Sequence, residues 1–465
     1  MALPPWLSEL LPILILLTVI GTVVARLPRV DLGHSQAFRR RRVLNWLPAG
    51  LTYAFLYMGR YNLNVCTDKT IHALSYHEFS DISSIGKLVY GLSFLLNGPL
   101  TDKLGGRKTI ILSAVGAAVA NLAMGLVVLK KGGDFNVVTV LTVLYALNMY
   151  FQSFGAVSIV KINAPWFHVR ERGTFGGIFG ILISLGLYFA YDWSNFIAQR
   201  FDIRFAFFVP AGILMLFAII DGALVRDTPG EAGQKDFDVG DGQVEGERLS
   251  LLEVVTRMAK NPAIITITLV EFCSGFLRTG IMDTYKPFAD AVGRQHEFVR
   301  SHWGMLNCTA GILGGVIAGL LSDRLFGSRR GPVAALLYGI MVVGSALAFF
   351  VLGNAVIGWV EVAMLLAIIG VHGMLSGTAS MDFAGKKNTG IAVGIIDGFV
   401  YFGGALGQKI LGATLPDAKA DAPYAADPQH WQRWPMAMLP VAVVGLVLAT
   451  RLWNAKPKGS NVGAH

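Results

Sequence analysis

Residues 98–108 read GPLTDKLGGRK, and residues 319–330 read GLLSDRLFGSRR. Each stretch follows a long apolar segment, places an aspartate where that segment ends, and passes through a glycine turn into paired basic residues. This repeat indicates two halves with the same order of elements. In each half we expect the aspartate and a following arginine to gate a conformational change, with an ordinary capped turn as the alternative. The four residues are Asp102, Arg107, Asp323 and Arg329.

The composition around this repeat is that of a membrane protein. Of the 465 residues, 54% are hydrophobic and only 15% are charged, whereas soluble domains carry about 25% charged residues. The apolar runs are long and continuous, which disfavours a β-barrel and indicates an all-α polytopic membrane protein. The net charge of +9 comes from basic residues in short loops between apolar segments, so it does not indicate nucleic-acid binding.

Hydropathy and loop composition predict twelve core helices and one additional N-terminal transmembrane helix, near Leu10 to Val24. The core helices lie near 44–66, 83–101, 109–129, 136–162, 174–197, 205–225, 262–285, 300–322, 332–353, 357–380, 389–413 and 434–453. We therefore expect five regions. They are a leading helix with a basic loop (1–43), a six-helix bundle (44–226), a central loop (227–260), a second six-helix bundle (261–455) and a tail (456–465).

The lysine and arginine residues of the connecting segments predict the orientation of the chain in the membrane. They recur in alternate loops, which places those loops, the central loop and the C-terminus in the cytoplasm. The leading helix has no basic residue before it and has Arg26 and Arg29 after it, so its N-terminus is predicted to lie outside. We expect the protein in the lipid bilayer of the cell membrane, which is the inner membrane in a bacterium.

Two arginines lie within apolar segments at matching places in the two halves. Arg60 lies in residues 51–65, LTYAFLYMGRYNLNV, and Arg278 in residues 264–282, IITITLVEFCSGFLRTGIM. A charge at the bilayer centre costs about 2.5–3.5 kcal/mol on insertion scales, so each arginine needs a partner or a water-filled cavity. The matching positions predict one cavity that holds a small anion between two guanidinium forks. Structural pairing with nearby acids is the alternative.

Two acidic residues in apolar segments extend this predicted site. Glu271 precedes Arg278 by seven residues, which places both on one helix face. Glu271 and Asp397 are predicted to bind a coupling proton, to pair with Arg278 when the site is empty, or to hold the amine of a zwitterionic substrate. A structural ion pair is the alternative for each.

Neutral and weaker candidates lie in the same segments. The neutral hydrogen-bonding candidates for the substrate are Tyr61, Asn62, Tyr90 and Tyr401. Lys87 is interpreted as an anchor at the membrane interface, and His372 and Asp192 as satisfied structural residues.

Several motifs together identify a family. They are Arg60-Tyr61-Asn62, Leu277-Arg278-Thr279-Gly280-Ile281-Met282-Asp283, Arg170-Glu171-Arg172-Gly173, Asp227-Thr228-Pro229 and Lys386-Lys387. With the repeated loops, they resemble the organophosphate:phosphate antiporter family of the major facilitator superfamily, which includes glycerol-3-phosphate and hexose-phosphate transporters. The resemblance covers about residues 44–455 and implies a major facilitator fold of two six-helix bundles. It also implies that Arg60 and Arg278 hold the substrate phosphate, and it adds Lys161 as a candidate anion contact, with snorkelling toward the membrane surface as the alternative.

The chain departs from the family at two positions. Phe94 stands where the family often has a lysine in the second helix, and Pro165 where it often has a histidine before a Trp-aromatic pair. Because of these two departures, the resemblance does not imply a sugar phosphate as the substrate of this chain.

The resemblance implies secondary transport of a small organic anion, an organophosphate or phosphonate, by alternating access in exchange for inorganic phosphate. A proton-coupled carrier of another anion or zwitterion and a membrane organophosphate sensor are the alternatives. No Walker loop, nucleophile elbow or metal motif occurs in the sequence, so we expect no enzymatic activity, no cofactor and no metal. By analogy with the fold, we expect a monomer.

Overall fold

The structure, a computed structural model, describes residues 5–26, 32–68, 71, 73–129, 136–168, 171–240, 251–327, 329–375 and 389–454. These residues form helices, turns and connecting segments, and no strand occurs among them. A helix occupies each of the twelve predicted core positions and the leading position. The prediction of an all-α protein is confirmed.

The long helices are numbered α1 to α13 in chain order. Those of the first half are α1 (Pro5–Arg26), α2 (Gln36–Tyr61), α3 (Tyr76–Leu104), α4 (Gly106–Leu129), α5 (Val137–Asn163), α6 (Arg172–Tyr188) and α7 (Phe205–Leu224). Those of the second half are α8 (Pro262–Met282), α9 (Trp303–Leu325), α10 (Arg330–Val351), α11 (Val356–Met374), α12 (Thr389–Thr414) and α13 (Arg433–Arg451). Helix α6 continues through a π-helical turn, Phe189–Trp193, into the segment Ser194–Arg200.

Side-chain caps determine where several of these helices begin. The Ser35 hydroxyl accepts the backbone N–H of Phe38, so α2 starts at Gln36, before the predicted position. Asn136 caps α5 in the same way. Asn261 caps α8, and Pro262 occupies the first helical position, where no backbone N–H is needed. The early start of α2 extends this helix beyond its apolar portion by about two turns, which contain the arginine run.

Nine of the helical segments in the described ranges are long and apolar enough to cross a membrane. Helices α2, α3 and α12 are not among them. Helices α2 and α3 both extend beyond their apolar portions into charged residues. The described apolar part of α1, Leu14–Ala25, is shorter than the other spans. The membrane crossing of α1 therefore stays a prediction.

The chain forms two compact units, and the first unit contains Met1–Ala73, Thr101–Gly242 and Gln295–Leu313. Its core lies where α4 packs against α5 and α7, and where α2 packs against α6 and α7. Central residues of this core are Tyr53, Leu56, Ile110, Ala114 and Leu214. Small residues such as Ala114 permit the close approach of neighbouring helices.

The second unit contains Leu74–Leu100, Gln243–Arg294 and Gly314–His465. Here α8 packs against α12, α13 and α11, and α10 packs against α13 and α11. Two of the boundaries between the units fall inside helices, one in α3 and one in α9, so the units do not follow the two halves of the sequence. The two six-helix bundles at 44–226 and 261–455 stay a prediction about the order of elements along the chain.

Candidate functional site

Arg60 lies at the end of α2 in the first unit and is 1% exposed. Its Nε atom donates a 2.9 Å hydrogen bond to Oε1 of Gln152 on α5. Its guanidinium carbon lies 4.4 Å from the ring centroid of Tyr57, about one turn earlier on α2. Its backbone carbonyl accepts a 3.0 Å hydrogen bond from the Tyr145 hydroxyl. Together these contacts orient the Arg60 guanidinium between α2 and α5.

A network of buried amides continues from Gln152. The Nε2 atom of Gln152 donates to Oδ1 of Asn148 at 3.1 Å, and this oxygen also accepts from Nδ2 of Asn121 at 3.2 Å. The Nδ2 atom of Asn62 donates to Oδ1 of Asn121 at 2.8 Å and to the Ala206 carbonyl at 2.9 Å. Asn62 thus joins α4 and α7 through its amide hydrogens, and a substrate contact for this residue stays a prediction.

Gln152, Asn148 and Asn121 were not predicted from the sequence. Each is an amide side chain within an apolar helix. Because a buried amide is costly unless it is hydrogen-bonded, this pattern could have indicated a buried polar network. Of the predicted residues beside Arg60, Tyr61 is partly buried, with its ring 5.9 Å from Tyr57 and 6.1 Å from Tyr191. Tyr61 therefore belongs to an aromatic group next to Arg60.

Arg278 lies on α8 in the second unit and is partly buried. Its guanidinium carbon is 6.0 Å from the ring centroid of Tyr401 on α12, a cation–π arrangement. The Tyr401 ring lies 4.1 Å from that of Tyr90 on α3, which in turn lies 5.0 Å from Phe94. The structure therefore brings the predicted residues Arg278, Tyr90 and Tyr401 into one cluster, to which Phe94 adds a third aromatic ring.

Close contact between α8 and α12 makes this cluster possible. A Cβ atom at Gly275 would lie 1.7 Å from the Val400 carbonyl oxygen, and one at Gly403 would lie 1.9 Å from that of Phe272. Any larger residue would push the two backbones apart. The glycines therefore allow the Tyr401 ring to approach Arg278.

The interpretation of Lys87 as an interfacial anchor is wrong. Lys87 is 5% exposed, and its Nζ atom donates to Asp283 at 2.7 Å, to Ser83 at 2.6 Å and to Gln408 at 3.3 Å. The error arose because the second core helix was predicted to begin at residue 83. Helix α3 begins at Tyr76, which places Lys87 about three turns inside it.

Glu271 on α8 is completely buried, and Oε2 lies 3.0 Å from Nδ1 of His372 on α11. The other oxygen, Oε1, is buried and accepts no hydrogen bond from the described residues. The prediction that Glu271 pairs with Arg278 is wrong for this structure, since His372 is its partner within the described chain. Asp397 lies on α12 in the same unit and is partly buried.

The first loop of the repeat contains two different contacts. The Nζ atom of Lys161, at the end of α5, donates a 2.7 Å hydrogen bond to Oδ1 of Asp102, and both side chains are more than a third exposed. The Arg107 side chain donates to the Gly222 carbonyl, and its backbone N–H donates to Oδ1 of Asp227 at 2.7 Å. Burial raises the pKa of the Asp227 carboxyl above its usual value.

Asp102 is thus paired with Lys161, and Asp227 caps the start of α4. The second loop of the repeat is described in part: Nε of Arg329 donates to the Phe326 carbonyl at 3.1 Å, and the side chain of Asp323 lies outside the described residues. Lys386 and Lys387 also lie outside them. The gating roles of the repeated loops and the anion contact of Lys161 stay predictions.

The described residues were also compared with the ligand sets that bind metal ions. Cys66, Cys273 and Cys308 are buried, and these three cysteines form no disulfide. In the described part of the chain, no group of three or more His, Cys, Asp or Glu side chains lies together.

Comparison with known proteins matches this architecture to one large family. The family model described as Major Facilitator Superfamily matches residues 49–408. The chain is 24% identical over 456 residues to the glycerol-3-phosphate transporter of Bacillus subtilis (strain 168), covering 93% of this chain and 97% of the relative. It is 23% identical over 458 residues to the membrane sensor protein UhpC of Escherichia coli (strain K12), covering 92% and 95%.

Among solved structures, the chain resembles a bacterial homolog of the human lysosomal transporter Spinster in an inward-facing, unoccupied conformation. The TM-score is 0.68 at 15% identity, and the match covers 90% of this chain and 97% of the other. At this identity the likeness concerns the fold, and the predicted major facilitator fold is confirmed.

Proposed function

The chain belongs to the Major Facilitator Superfamily, and we propose that it carries a small organophosphate or phosphonate across a membrane in exchange for inorganic phosphate. It is a multi-pass membrane protein and a transporter rather than an enzyme. One observation carries the proposal: each half of the chain places an arginine in an apolar helix, Arg60 in α2 and Arg278 in α8.

The chemistry of arginine supports a phosphate-bearing substrate. Its planar fork donates two parallel hydrogen bonds to a phosphate and keeps its charge at physiological pH. Gln152 and Tyr57 hold the Arg60 guanidinium in one orientation, and Tyr401 packs against Arg278. Such preorganisation reduces the entropy that is lost when an anion binds.

The residues around Arg278 support an organic group that is less polar than a sugar. Phe94 stands where the family often has a lysine, and the rings of Tyr90 and Tyr401 lie in the same cluster. Aromatic rings favour apolar, aromatic or quaternary ammonium groups. We infer a phosphate ester or phosphonate whose organic part has one of these characters, of which the glycerol-3-phosphate carried by the Bacillus subtilis relative is a smaller, more polar counterpart.

Phosphate counterflow in proteoliposomes tests this function. Wild type is expected to exchange labelled phosphate, and Arg60→Lys and Arg278→Lys are each expected to lose most of that exchange, because lysine keeps the charge but lacks the bidentate fork. Arg204→Lys, at a half-exposed arginine before α7, is the matched control and is expected to exchange normally. Normal exchange in Arg60→Lys and Arg278→Lys would remove both arginines from the site.

A second candidate function is proton-coupled transport of an anion or zwitterion, and the Glu271–His372 pair favours it. The buried Oε1 atom of Glu271 is a place where a proton or a substrate ammonium would satisfy an otherwise costly oxygen. Asp397, in the same unit, is the other candidate for this role. Uptake driven by a pH jump, and its loss in Glu271→Gln or Asp397→Asn, would support this mode over phosphate exchange.

A third candidate is a membrane sensor, because one relative bears that name. A sensor binds an organophosphate without sustaining flux. Saturable binding by purified protein, together with no counterflow of any phosphorylated compound, would support sensing. Counterflow at a rate well above that of empty liposomes would support transport.

We further propose that the protein is a monomer in the cell membrane, with its C-terminus in the cytoplasm and the N-terminus of α1 outside. The alternating basic loops support this orientation. Reporter fusions at the two termini test the orientation, and light scattering of the detergent-solubilised protein tests the oligomeric state. A cytoplasmic N-terminus would mean that α1 does not span the membrane.

A further inference from the structure

A carboxyl group without a hydrogen-bond partner lies inside the second unit. Glu361 lies on α11 and is 1% exposed. Its Oε2 atom is buried and accepts no hydrogen bond from the described residues, and the carboxyl forms no ion pair with any of them. An isolated charge is among the most costly groups to bury, so a buried acid normally has a cationic partner or takes up a proton.

Other buried acids in the described chain have a donor within hydrogen-bond distance. Four of these pairs are Asp68 with Arg300, Glu171 with Arg42, Asp221 with Thr52 and Asp283 with Lys87. Glu361 differs from them because no described donor reaches its Oε2 atom. The burial of Glu361 therefore requires a different explanation.

Glu361 lies where α11 packs against α10. A Cβ at Gly344 on α10 would lie 2.5 Å from Cγ of Met364 on α11, so these two residues face each other. Helix α10 ends at Val351 and α11 begins at Val356, and a short connection of this kind joins antiparallel neighbours. Counted from the Gly344 contact, Glu361 lies within about 3 Å of the level of Ser345 along the helix axes.

The Ser345 side chain is also buried without a partner. Ser345 is 1% exposed, and its Oγ atom forms no hydrogen bond with the described residues. A serine inside a helix often donates to the carbonyl four residues earlier, as Ser158 does to Phe154 at 2.6 Å. Two neighbouring helices thus place an unpaired carboxyl and an unpaired hydroxyl at nearly the same level.

The chemistry of these two groups favours a proton as the ligand. A metal ion needs about four to eight ligand atoms, and no group of three or more His, Cys, Asp or Glu side chains lies together in the described ranges. A proton needs only the carboxylate. It forms an O–H bond at one carboxylate oxygen, removes the negative charge and makes the carboxyl a donor that a hydroxyl oxygen can accept.

No cation on the surrounding elements pairs with Glu361 within the described chain. The charged and titratable groups on these elements are Arg330 and Tyr338 on α10, Glu271, Cys273 and Arg278 on α8, Arg324 on α9, His372 on α11 and Arg294 near the α10–α11 connection. The Tyr338 hydroxyl donates to the Val270 carbonyl at 2.6 Å. Arg294 donates to the Asn354 carbonyl at 2.8 Å. A Glu361 carboxylate would therefore be left without a compensating charge.

Glu361 is separate from the Glu271–His372 pair. His372 follows Glu361 by eleven residues on α11, which is about three turns or 16 Å. The buried side chains of Leu365 and Ile368 lie between them along the helix. Glu271 and His372 can form an ion pair or share a proton, whereas Glu361 is either neutral or an unpaired charge.

We propose that Glu361 is a proton-binding site of the second unit, occupied while α10 and α11 are packed together, and that Ser345 accepts the hydrogen bond of the protonated carboxyl. The proton comes from water and converts the carboxylate into the neutral acid. This inference goes beyond the proposed phosphate exchange and does not rest on it.

The position of Glu361 indicates which side supplies the proton. Glu361 follows Val356 by five residues, about 8 Å from the start of α11. The α10–α11 connection, residues 352–355, contains no Lys or Arg and is predicted to lie outside. We therefore expect the pH of the outer compartment to control how firmly α10 packs against α11.

Infrared spectroscopy of the purified protein tests the proposal directly, because the C=O group of a protonated carboxyl absorbs at a higher frequency than a carboxylate. At pH 7, wild type is expected to show an acid band that is missing in Glu361→Gln and in Glu361→Met. Ser345→Ala is expected to keep this band and to move it to higher frequency, because the hydrogen bond is lost. Glu231→Gln, at an exposed glutamate of the central loop, is the matched control and is expected to keep the band unchanged.

The dependence of stability on pH provides a second measurement. A glutamate in water is ionised at neutral pH, so a folded protein that holds this proton releases it on unfolding. Stability is then lost as pH rises, because the folded state binds more protons than the unfolded chain. Relative to Glu361→Gln, the unfolding equilibrium constant of wild type is expected to rise about tenfold for each pH unit above the ordinary range of glutamate.

Two outcomes would contradict the proposal. Acid bands at pH 7 that are identical in wild type, Glu361→Gln and Glu361→Met would overturn it, because Glu361 would then be ionised. An acid band that depends on Glu361 and keeps its frequency in Ser345→Ala would overturn the assignment of Ser345 as the acceptor.

Discussion

The Nε–H of Arg60 on α2 donates to the side-chain oxygen of Gln152 on α5 at 2.9 Å, inside a network of buried amides. A neutral acceptor at this position fixes the direction of the guanidinium and adds no negative charge of its own. The identity of residue 152 therefore bears on the proposed binding of an anion at Arg60.

Replacement of Gln152 is expected to weaken substrate binding. Gln152→Ala removes a hydrogen bond to a charged group, and we expect the KM of exchange to rise about tenfold or more. Gln152→Glu should abolish exchange, because the new carboxylate pairs with Arg60 and competes with the substrate. Counterflow rates measured over a range of substrate concentrations give the KM, with the exposed Gln429→Ala as control. Equal KM values in Gln152→Ala and wild type would contradict the role of Gln152.

The aromatic ring of Tyr401, and not its hydroxyl, is expected to contribute to substrate affinity. Tyr401→Leu removes the cation–π contact with Arg278, which is worth about 0.5–2 kcal/mol, and should weaken substrate affinity by about 2- to 30-fold. Tyr401→Phe keeps the ring and should remain within about twofold of wild type. Direct titration of purified protein with substrate provides the measurement. If Phe and Leu at this position gave equal affinity losses, the hydroxyl and not the ring would be responsible.

The glycine contact between α8 and α12 is expected to be intolerant of a methyl group. Gly275→Ala places a Cβ against the Val400 carbonyl and should destabilise the protein by about 3 kcal/mol or more, as overpacking does. Gly339→Ala on α10 is the matched control, because no atom lies within 4 Å of its Cβ position. There alanine should stabilise the helix by up to about 1 kcal/mol. Melting temperatures in detergent compare the two, and a tolerated Gly275→Ala would contradict the close approach.

Asp227 is expected to make stability depend on pH. Burial raises its folded-state pKa above the ordinary 3.8, so the folded protein binds this proton more tightly than the unfolded chain does. The stabilising contribution is fully present below the unfolded pKa and is lost as pH rises through the folded pKa. Relative to Asp227→Asn, which can still accept the Arg107 N–H, wild type should therefore lose stability as pH rises through the range above the ordinary pKa of 3.8. A melting-temperature difference that is constant over this range would contradict the raised pKa.

The sequence by itself determined the fold class and the positions of the two arginines. Membrane helices can be recognised locally, because each must be apolar over its own length whatever it packs against. The cost of a buried charge is also local, so Arg60 and Arg278 stood out from their immediate neighbours. The repeated loops at Asp102 and Asp323 and the family motifs followed from short stretches of residues in the same way.

Only the tertiary structure decided which polar side chains become hydrogen-bond or ion-pair partners. Gln152 beside Arg60, Asp283 beside Lys87 and Arg300 beside Asp68 come from elements far apart in the chain, and no local pattern specifies which of several polar residues will meet. The error for Lys87 had the same origin, because only packing shows that α3 extends beyond its apolar portion and buries this lysine. Hydropathy depends on each segment alone, whereas an ion pair depends on two segments and the distance between them.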